Sequence, residues 1–382
     1  MIRKFITKHD DFYTIREAFD KSFWRNLLEK INYKSFLYSN VRPNSVLIVE
    51  PNNSAHGEVL PYFIKYFLDK GYNVDVVVSP WIKYIKWLSL NSSPKLRKFA
   101  FRTLKFRKFL SSKCFKYKFI LFTSKIVYHQ GKEPSIFDYI KNIEDFRDKI
   151  YFVEHHMDRI DYEKEKEHAI VLANLPSLEN KINWANPHYF GNVKITPKSD
   201  VTKFIVVGWI ESKRRDFEQF IKTLEKMENS NVTNYHITLI GRAKPEIPAH
   251  LEKYFTFKGY LKADQMIKEM ENADFFLTLL NDENEEHLRY ITTGTSGSFQ
   301  LVYGFLKPCL IQKSFADVYD FNSENSIVYN NGNDLADAMI KAINMSKQNY
   351  ANMQRKLKEL VCKIEEASQK NLDKYFNDNA KL

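Results

Sequence analysis

The stretch Thr292–Pro308 reads TTGTSGSFQLVYGFLKP, in which glycines and hydroxyl residues lead into an apolar helix and a Lys-Pro pair. Glycines let the backbone turn tightly, and the helix adds free N–H groups and the positive end of its dipole. This junction therefore favours a bound phosphate or diphosphate. Ser and Thr are also preferred N-cap residues, so an ordinary capped helix after a loop is the alternative.

The second half of the chain around this stretch alternates β-branched or aromatic runs with amphipathic runs of helical period. The predicted strands are Lys203–Gly208, Tyr235–Ile240, Phe255–Tyr260, Asp274–Leu280 and Pro308–Ile311. The predicted helices are Asp216–Met227, Ala263–Asn272, Ser298–Leu306, Asn333–Met345 and a lysine-rich tail running towards Phe376. Strands separated by single helices indicate a parallel, doubly wound sheet.

The first half follows the same order after a polar helical extension over its first forty-odd residues. Its predicted elements are the strand Ser45–Glu50, the helix Glu58–Lys70, and the strands Val74–Val78, Phe119–Thr123, Ile150–Glu154 and Ala169–Ala173. We expect an α/β protein of two doubly wound Rossmann-like domains facing across a cleft, where a ligand would bind. The predicted boundaries are 1–192 for the first domain, 193–345 for the second and 346–382 for a helical tail that packs back on the first domain.

Composition excludes several classes of protein. The chain has 382 residues and is 44% apolar, which suits globular domains and not a disordered chain. Its three cysteines, Cys114, Cys309 and Cys362, have no paired spacing, so neither a disulfide framework nor a zinc site is expected. We find no signal peptide and no apolar run near the roughly 18 residues that span a bilayer. A cytoplasmic location is therefore expected.

The positive charge is concentrated in one segment. Between Trp81 and Ile120 there are 12 Lys or Arg residues and no acid, and removing these 12 leaves 46 basic against 47 acidic residues. Drawn as a helix over Pro94–Leu110, the segment separates an apolar side from a basic one. It is predicted to hold residues 81–118 against an anionic membrane surface, each charge adding about 1 kcal/mol. A solvated surface helix is the alternative. Nucleic acid is the rival partner, less favoured than the membrane, because aromatic residues that can stack on bases interleave with the charge.

Neither half contains the G-x-G-x-x-G fingerprint or a P-loop, since the first strand–helix loop has only Gly57. A nicotinamide or flavin dinucleotide is therefore not expected. We expect no cofactor and no metal, and a histidine pair at 155 and 156 lacks the further ligands that a metal site needs.

Several short motifs occur in a fixed order. They are His56-Gly57-Glu58, Glu154-His155-His156, Asn186–Gly191, Gly208 with Ser212–Arg215, Leu239-Ile240-Gly241, Phe257–Leu261 and Gly294–Pro308. Over about residues 45–345 this order resembles the GT-B class of nucleotide-sugar-dependent glycosyltransferases, particularly family-four-like enzymes of bacterial surface-polysaccharide assembly. The resemblance implies transfer of a sugar from a nucleotide diphosphate donor.

One feature departs from that family. Its members carry two glutamates, separated by seven residues, around the loop and helix that hold the donor. Counted back from Lys307-Pro308, these positions are Thr293 and Leu301. The family's usual contact with the donor ribose and its retaining mechanism therefore do not carry over to this sequence, and both retention and inversion are left as alternatives. Four acids upstream are candidate substitutes for the two missing glutamates: Asp282, Glu283, Glu285 and Glu286. The alternative is that this charge-rich loop is simply solvated.

The resemblance and the residue chemistry together assign roles. Lys213 and Arg215 would stabilise the leaving diphosphate, because cations at a helix start oppose its dipole unless an anion is bound. The remaining donor-binding candidates are Gly57, Gly208, Gly241, Arg242, Tyr260, Leu261, Thr293, Gly294, Thr295, Ser296, Gly297 and Ser298. Turn glycines and a core tyrosine explain part of this set equally well.

Catalytic candidates lie in the first half. Glu58 or His56 is the candidate base for an inverting reaction, with Glu58 alternatively a helix-dipole partner. His155 corresponds to the family's histidine near the transferred sugar, with His156 as the second choice and a structural histidine as the alternative.

The sequence thus predicts a glycosyltransferase that moves a hexose or N-acetylhexosamine to a lipid-linked or surface polysaccharide acceptor, with UDP as the expected carrier of the sugar. We expect it at the inner face of the cell membrane as a peripheral protein. The other hypotheses are a nucleotide-sugar 2-epimerase of the same fold and a non-catalytic binder of nucleic acid or glycan.

Overall fold

The computed structural model describes most of the chain: residues 26–52, 56–80, 93–101, 113, 116–126, 135–139, 147–176, 182–210, 214–242 and 244–378. Its helices and strands alternate along the sequence, as the hydrophobic pattern predicts. Two sheets result, and the strand pairings that the structure defines in both of them are parallel.

The first sheet has seven strands in the order β3-β2-β1-β4-β5-β6-β7. Its strands are β1 (Ser45–Val49), β2 (Asn73–Val78), β3 (Leu96–Ala100), β4 (Phe119–Phe122), β5 (Ile150–Glu154), β6 (Ala169–Val171) and β7 (Asn183–Trp184). Strands β1, β4 and β5 are buried along their whole length. Continuous apolar runs of this kind are typical of parallel strands covered on both faces.

The second sheet has six strands in the order β10-β9-β8-β11-β12-β13. Its strands are β8 (Thr202–Val207), β9 (Tyr235–Ile240), β10 (Phe255–Gly259), β11 (Phe275–Leu277), β12 (Cys309–Gln312) and β13 (Ile327–Tyr329). The order reverses direction next to β8, so the ends of β8 and β11 flank the point where ligands bind in doubly wound sheets.

Residues 26–38 form the first described helix, α1. The others are α2 (Leu60–Asp69), α3 (Tyr162–Glu165), α4 (Phe217–Asn229), α5 (Ala263–Asn272), α6 (Glu285–Thr292), α7 (Gly297–Phe305), α8 (Lys313–Val318), α9 (Leu335–Asn344) and α10 (Lys347–Asp378). Within the described residues, none of these helices combines the length and apolarity needed to cross a membrane.

The chain divides into two compact units. The first takes in the described residues of Met1–Gly57, Phe67–Ile82 and Ser92–Tyr151, and the second those of Glu58–Tyr66 and Phe152–Leu382. The second unit has a large aromatic and aliphatic core that includes Phe204, Phe220 and Phe275. The domain boundaries drawn from the sequence at 192 and 345 stay a prediction.

Within the second unit, the long helix α10 makes polar contacts with β6 and β7. The side-chain amide of Asn371 donates to the Trp184 carbonyl at 3.0 Å, and the Tyr375 hydroxyl donates to the Ala169 carbonyl at 3.1 Å. These side chains are bonded to backbone carbonyls of the sheet, so the tail is anchored at defined points along its length.

The predicted basic helix over Pro94–Leu110 is wrong at its start, because Leu96–Ala100 is strand β3. The reason is the buried carboxylate of Asp75 on β2, which accepts hydrogen bonds from Arg97 Nε at 2.8 Å and Tyr117 OH at 2.8 Å. Arg42 adds an ion pair at 3.0 Å. Residues 102–110, the remainder of the predicted helix apart from Phe101, lie outside the described residues.

Replacing the buried carboxylate should destabilise the first unit. In Asp75→Asn, the guanidiniums of Arg42 and Arg97 lose their negative partner, and breaking a buried pair in this way costs about 3 kcal/mol. Urea denaturation measures the free energy of unfolding. The matched control is Asp200→Asn, which breaks the exposed ion pair with Lys347 and should change little. Equal losses in the two variants would contradict this account.

Helix α7 is buried along most of its length and packs closely on a neighbouring segment of the second unit. A Cβ at Gly304 would lie 2.4 Å from the His188 carbonyl oxygen and 2.4 Å from the Phe190 ring. Glycine is therefore required here by the close approach of two backbones.

Gly304→Ala should lower the free energy of unfolding by about 1–3 kcal/mol, because the helix must shift away from its neighbour. Gly297→Ala, on the same helix, is the control for stability, since a Cβ there meets nothing within 4 Å. Thermal or urea unfolding of both variants tests the difference, and a Gly304→Ala protein as stable as the wild type would refute the packing argument.

Candidate functional site

The turn at 293–296 leads into α7 as the sequence indicates, but most of its polar groups are used internally. Ser296 is the N-cap and its Oγ accepts from the Ser298 N–H at 3.4 Å. The N–H of Gly294 donates to the Arg289 carbonyl at 2.7 Å. Gly297 differs from these residues: it is exposed, and a Cβ there would face open space. As the first residue of α7, it carries an N–H that has no intrahelical acceptor.

Two predicted motifs meet at this turn, both within the second unit. Gly294 forms an antiparallel bridge with His156. The N–H of Thr295 donates to the His155 carbonyl at 3.3 Å, and the N–H of Met157 donates to the Thr293 carbonyl at 2.7 Å. The histidine motif after β5 and the hydroxyl-glycine turn are thus joined through their backbones.

A buried carboxylate fixes the histidine segment. Glu154 Oε1 accepts from the backbone N–H of His155 at 2.8 Å and from that of His156 at 3.0 Å. His156 is neutral near pH 7, because burial and the charges of Arg159, Arg289 and Arg214 lower its pKa, against an opposing effect of Asp158. A neutral imidazole can both accept and donate a hydrogen bond.

Arg215 is directed into the protein. It is 5% exposed, and its Nη2 donates to the Val207 carbonyl at 3.0 Å and to Ser298 Oγ at 2.7 Å. Burial lowers the pKa of its guanidinium to about 10, so it stays charged at neutral pH. Arg215 therefore links the end of β8 to the first turn of α7, which is a positioning role. Lys213, the other predicted diphosphate ligand, lies outside the described residues.

A cluster of guanidiniums surrounds Tyr290 on α6. Its hydroxyl oxygen accepts from Arg289 Nη2 at 2.9 Å and from Arg214 Nη1 at 3.2 Å. Burial alone would raise the pKa of Tyr290, yet the Arg214 hydrogen bond and the charges of Arg214, Arg289 and Arg215 lower it below its ordinary value. Sequence reasoning missed Arg214, Arg289 and Tyr290 as a group. The only signal was the Lys-Arg-Arg run at 213–215.

Two glycines bring the loops after β8 and β9 together. Gly208 has a φ of +124°, and a Cβ on Gly241 would lie 1.6 Å from the Gly208 carbonyl oxygen. Beyond this contact, the Arg242 guanidinium lies 5.8 Å from the centre of the Tyr260 ring, which is 68% exposed. Leu261 is half-buried. An exposed ring of this kind is suited to stack on a base.

The remaining candidates lie on the loop after β1. His56 has a φ of +58° and, with Gly57, belongs to the first unit. Glu58 belongs to the second unit and lies in the first turn of the 3₁₀ helix Gly57–Val59. Their roles as candidate bases stay predictions.

The acids near α6 do not enter the guanidinium cluster through any ion pair among the described residues. The carboxylate of Asp282 accepts from Gln312 Nε2 at 2.6 Å, which fixes the loop after β11. Glu283, Glu285 and Glu286 are exposed. Thr293 and Leu301 occupy the two positions where the family pattern has glutamate, and Leu301 is buried on α7.

A groove of about 1220 Å³ lies elsewhere in the second unit, between α10 and the segment after α8. Its ionisable lining residues are Asp317, Asp320, Glu324, Glu359, Lys356 and Lys363. With four acids against two lysines, it does not suit a diphosphate. None of the predicted site residues lines it.

Comparison with known proteins shows the fold. Neither the protein-family models nor the curated proteins give a match to this sequence. Among solved structures, S. aureus TarM, in complex with fondaparinux, α-GlcNAc-glycerol and UDP, aligns with a TM-score of 0.54 and 13% identity over 87% of this chain and 100% of that one.

Two further structures align over similar lengths. Sucrose-phosphate synthase from Thermosynechococcus elongatus has a TM-score of 0.53 and 10% identity over 88% of this chain and 99% of that one. Arabidopsis thaliana UGT89C1, complexed with UDP-L-rhamnose, has a TM-score of 0.51 and 13% identity over 89% and 100%. With two parallel α/β sheets and this likeness along nearly its whole length, the chain has the GT-B fold of glycosyltransferases, as its sequence predicts.

Proposed function

We propose that this protein is a glycosyltransferase that moves a hexose or N-acetylhexosamine from a nucleotide diphosphate sugar to a lipid-linked or surface polysaccharide acceptor. The observation that carries the proposal is the junction between the turn and α7. There the open N–H of Gly297 and the positive end of the helix lie on the same turn that pairs with the histidine segment.

The chemistry follows from the charges. When the glycosidic bond to the donor breaks, the diphosphate gains negative charge, which fixed donors and cations stabilise without reorganising. The N-terminus of α7 supplies such donors, and Lys213 is proposed to add a charge. His155 and His156 would contact the sugar, and Glu58 or His56 would take the acceptor proton in an inverting reaction.

We propose UDP as the nucleotide carrier. Two of the aligned proteins were solved with UDP or a UDP sugar, which supports this choice by analogy of fold. Tyr260 and Arg242 would border the base, and the paired glycines 208 and 241 would let it approach the backbone.

We also propose a peripheral location at the inner face of the cell membrane, where the lipid-linked acceptor would be met. The support is the excess of 12 basic residues in the segment Trp81–Ile120. Of the basic residues in this segment, Arg97 is engaged by Asp75 and is not available to lipid headgroups. The ammonium of Lys113 is also buried, and it donates to the carbonyls of Phe36 and Ser39. Any attachment would therefore depend on the remaining lysines and arginines.

The proposal is tested by incubating the purified chain with UDP, GDP and CMP sugars, with and without membrane extract. Release of UDP only when the extract is present would support transfer. An epimerised sugar formed without acceptor would identify a 2-epimerase. Binding to RNA or DNA with no effect of any nucleotide sugar would identify a nucleic-acid binder. Each of the last two results would reject the glycosyltransferase.

A single-donor variant tests the proposed diphosphate site. Proline is favoured at the first position of a helix, and Ser296 (φ −89°, ψ 122°) has the extended backbone that precedes proline readily. Gly297→Pro should therefore keep α7 and remove one N–H, weakening UDP binding about tenfold by calorimetry.

The control is Lys313→Pro, the same change at the first residue of α8, where Gln312 is also extended (φ −71°, ψ 145°). It should leave UDP affinity unchanged. Gly297→Ala keeps the N–H and should lose less affinity than Gly297→Pro. UDP affinity that is equal in wild type and Gly297→Pro would remove this junction from the donor site.

A further inference from the structure

The guanidinium cluster holds more positive charge than the surrounding residues neutralise. Arg214, Arg215 and Arg289 form no ion pair with an acidic side chain in the described part of the chain. The Nε atoms of Arg215 and Arg289 are buried and have no hydrogen-bond acceptor there. Arg215 is buried, whereas Arg214 and Arg289 are half-buried. Charges that are withdrawn from water without a carboxylate partner are costly, so such a cluster is typical of a site whose anion arrives with a ligand.

The three arginines are not equivalent. The Nη groups of Arg215 donate to the carbonyls of Val207 and Arg214 and to the hydroxyl of Ser298. These bonds connect the end of β8 to the start of α7. Arg214 and Arg289 instead converge on the single oxygen of Tyr290, and the Arg289 guanidinium lies 4.8 Å from the centre of that ring. Tyr290 thus fixes two guanidiniums side by side.

Arg289 is joined through its backbone to the turn that pairs with the histidine segment. The carbonyl of Arg289 accepts from the N–H of Gly294, which pairs with His156, and the charge of Arg289 acts on the His156 ring. The histidine segment is where the sugar is proposed to lie, whereas Gly297 marks the proposed diphosphate site. Asp158 is the acidic group that also acts on His156, against Arg159, Arg214 and Arg289.

The hydrogen-bonding chemistry of the cluster decides what it can bind. Sugar hydroxyls both donate and accept, and a carboxylate side chain can accept from them. A guanidinium has only donors, so it matches a group that has only acceptors. Among the groups that a sugar can carry in place of a hydroxyl, a carboxylate matches two adjacent guanidiniums, because each guanidinium can form a charge-assisted hydrogen bond with one of its oxygens.

We propose that the sugar of the donor is carboxylated, a hexuronic acid, and that Arg289 and Arg214 bind its carboxylate while Tyr290 holds them in place. This inference rests on the proposed function and narrows its donor to nucleotide diphosphate uronates. A neutral sugar would leave both guanidiniums without an anion.

The test is the affinity of the full chain for UDP, UDP-glucose, UDP-glucuronate and UDP-galacturonate, measured by calorimetry. We expect at least one uronate to bind about tenfold or more tightly than UDP-glucose. UDP-glucuronate differs from UDP-glucose only in its C6 carboxylate, whereas UDP-galacturonate differs also in the configuration at C4. Arg289→Gln should abolish this preference and leave the affinity for UDP itself unchanged. Arg355→Gln, at an exposed arginine on α10 paired with Glu359, is the matched control and should keep the preference.

Tyr290→Phe tests the positioning role with little change in shape. It keeps the ring beside Arg289 and removes the shared oxygen, so the preference for the uronate should fall severalfold while UDP binds as before. Thermal unfolding of each variant checks that it is folded.

The outcomes separate the two proposals. If UDP binds but uronates and UDP-glucose bind equally, the uronate inference is overturned and the glycosyltransferase stands. If Arg289→Gln weakens UDP as much as the uronates, the arginines serve the diphosphate, which also overturns it. If the wild type binds none of the four compounds, the proposed UDP-sugar transferase fails together with the inference.

Discussion

The buried guanidinium of Arg215 sets the geometry on which the candidate site depends. A charge that is only 5% exposed is costly unless most of its hydrogens are bonded; here both Nη groups are bonded, and Nε has no acceptor among the described residues. Its partners are the last carbonyl of β8 and the hydroxyl of Ser298 in the first turn of α7. One side chain therefore fixes the distance between a strand end and a helix start. Gly208, which directly follows β8, is also held close to Gly241.

Most of the fold could be predicted because parallel strands are buried on both faces and leave continuous apolar runs such as FILF in β4 and SVLIV in β1. The failures have local causes. Strand β3 reads LRKFA and looks like one side of a basic helix, since the partner of Arg97 is Asp75, a residue 22 positions earlier on another strand. The short helices α6 and α8 and the strands β7 and β13 give too few residues for a period to emerge.

The candidate site also has a part that the sequence predicts and a part that it does not. The turn at 293–297 could be predicted because glycine and hydroxyl residues before an apolar helix favour a tight turn and a capped helix start. This local preference does not depend on contacts with distant residues. The pairing of that turn with the histidine segment has no local signal, because it joins residues more than a hundred positions apart through backbone groups. The orientation of the Arg215 side chain has no local sequence signal either. The sequence pattern places an arginine just before a helix. The inward orientation of its side chain depends on the hydrogen bond to the buried Ser298, which is distant in sequence.

The lack of a glutamate at position 293 is related to the nearby arginine cluster. Arg289 and Thr293 are four residues apart at the end of α6, where the Thr293 N–H donates to the Arg289 carbonyl at 3.0 Å. Side chains with this spacing on a helix meet each other. A glutamate at 293 would therefore pair with Arg289 and neutralise it, leaving no charge for a ligand. Threonine at 293 brings no carboxylate to this position, and Tyr290 orients the guanidinium through the hydrogen bond that its hydroxyl oxygen accepts. The departure from the pattern of the family that the sequence resembles thus changes the sign of the charge at this end of α6. At the proposed sugar site, such a change would favour the carboxylated sugar inferred above.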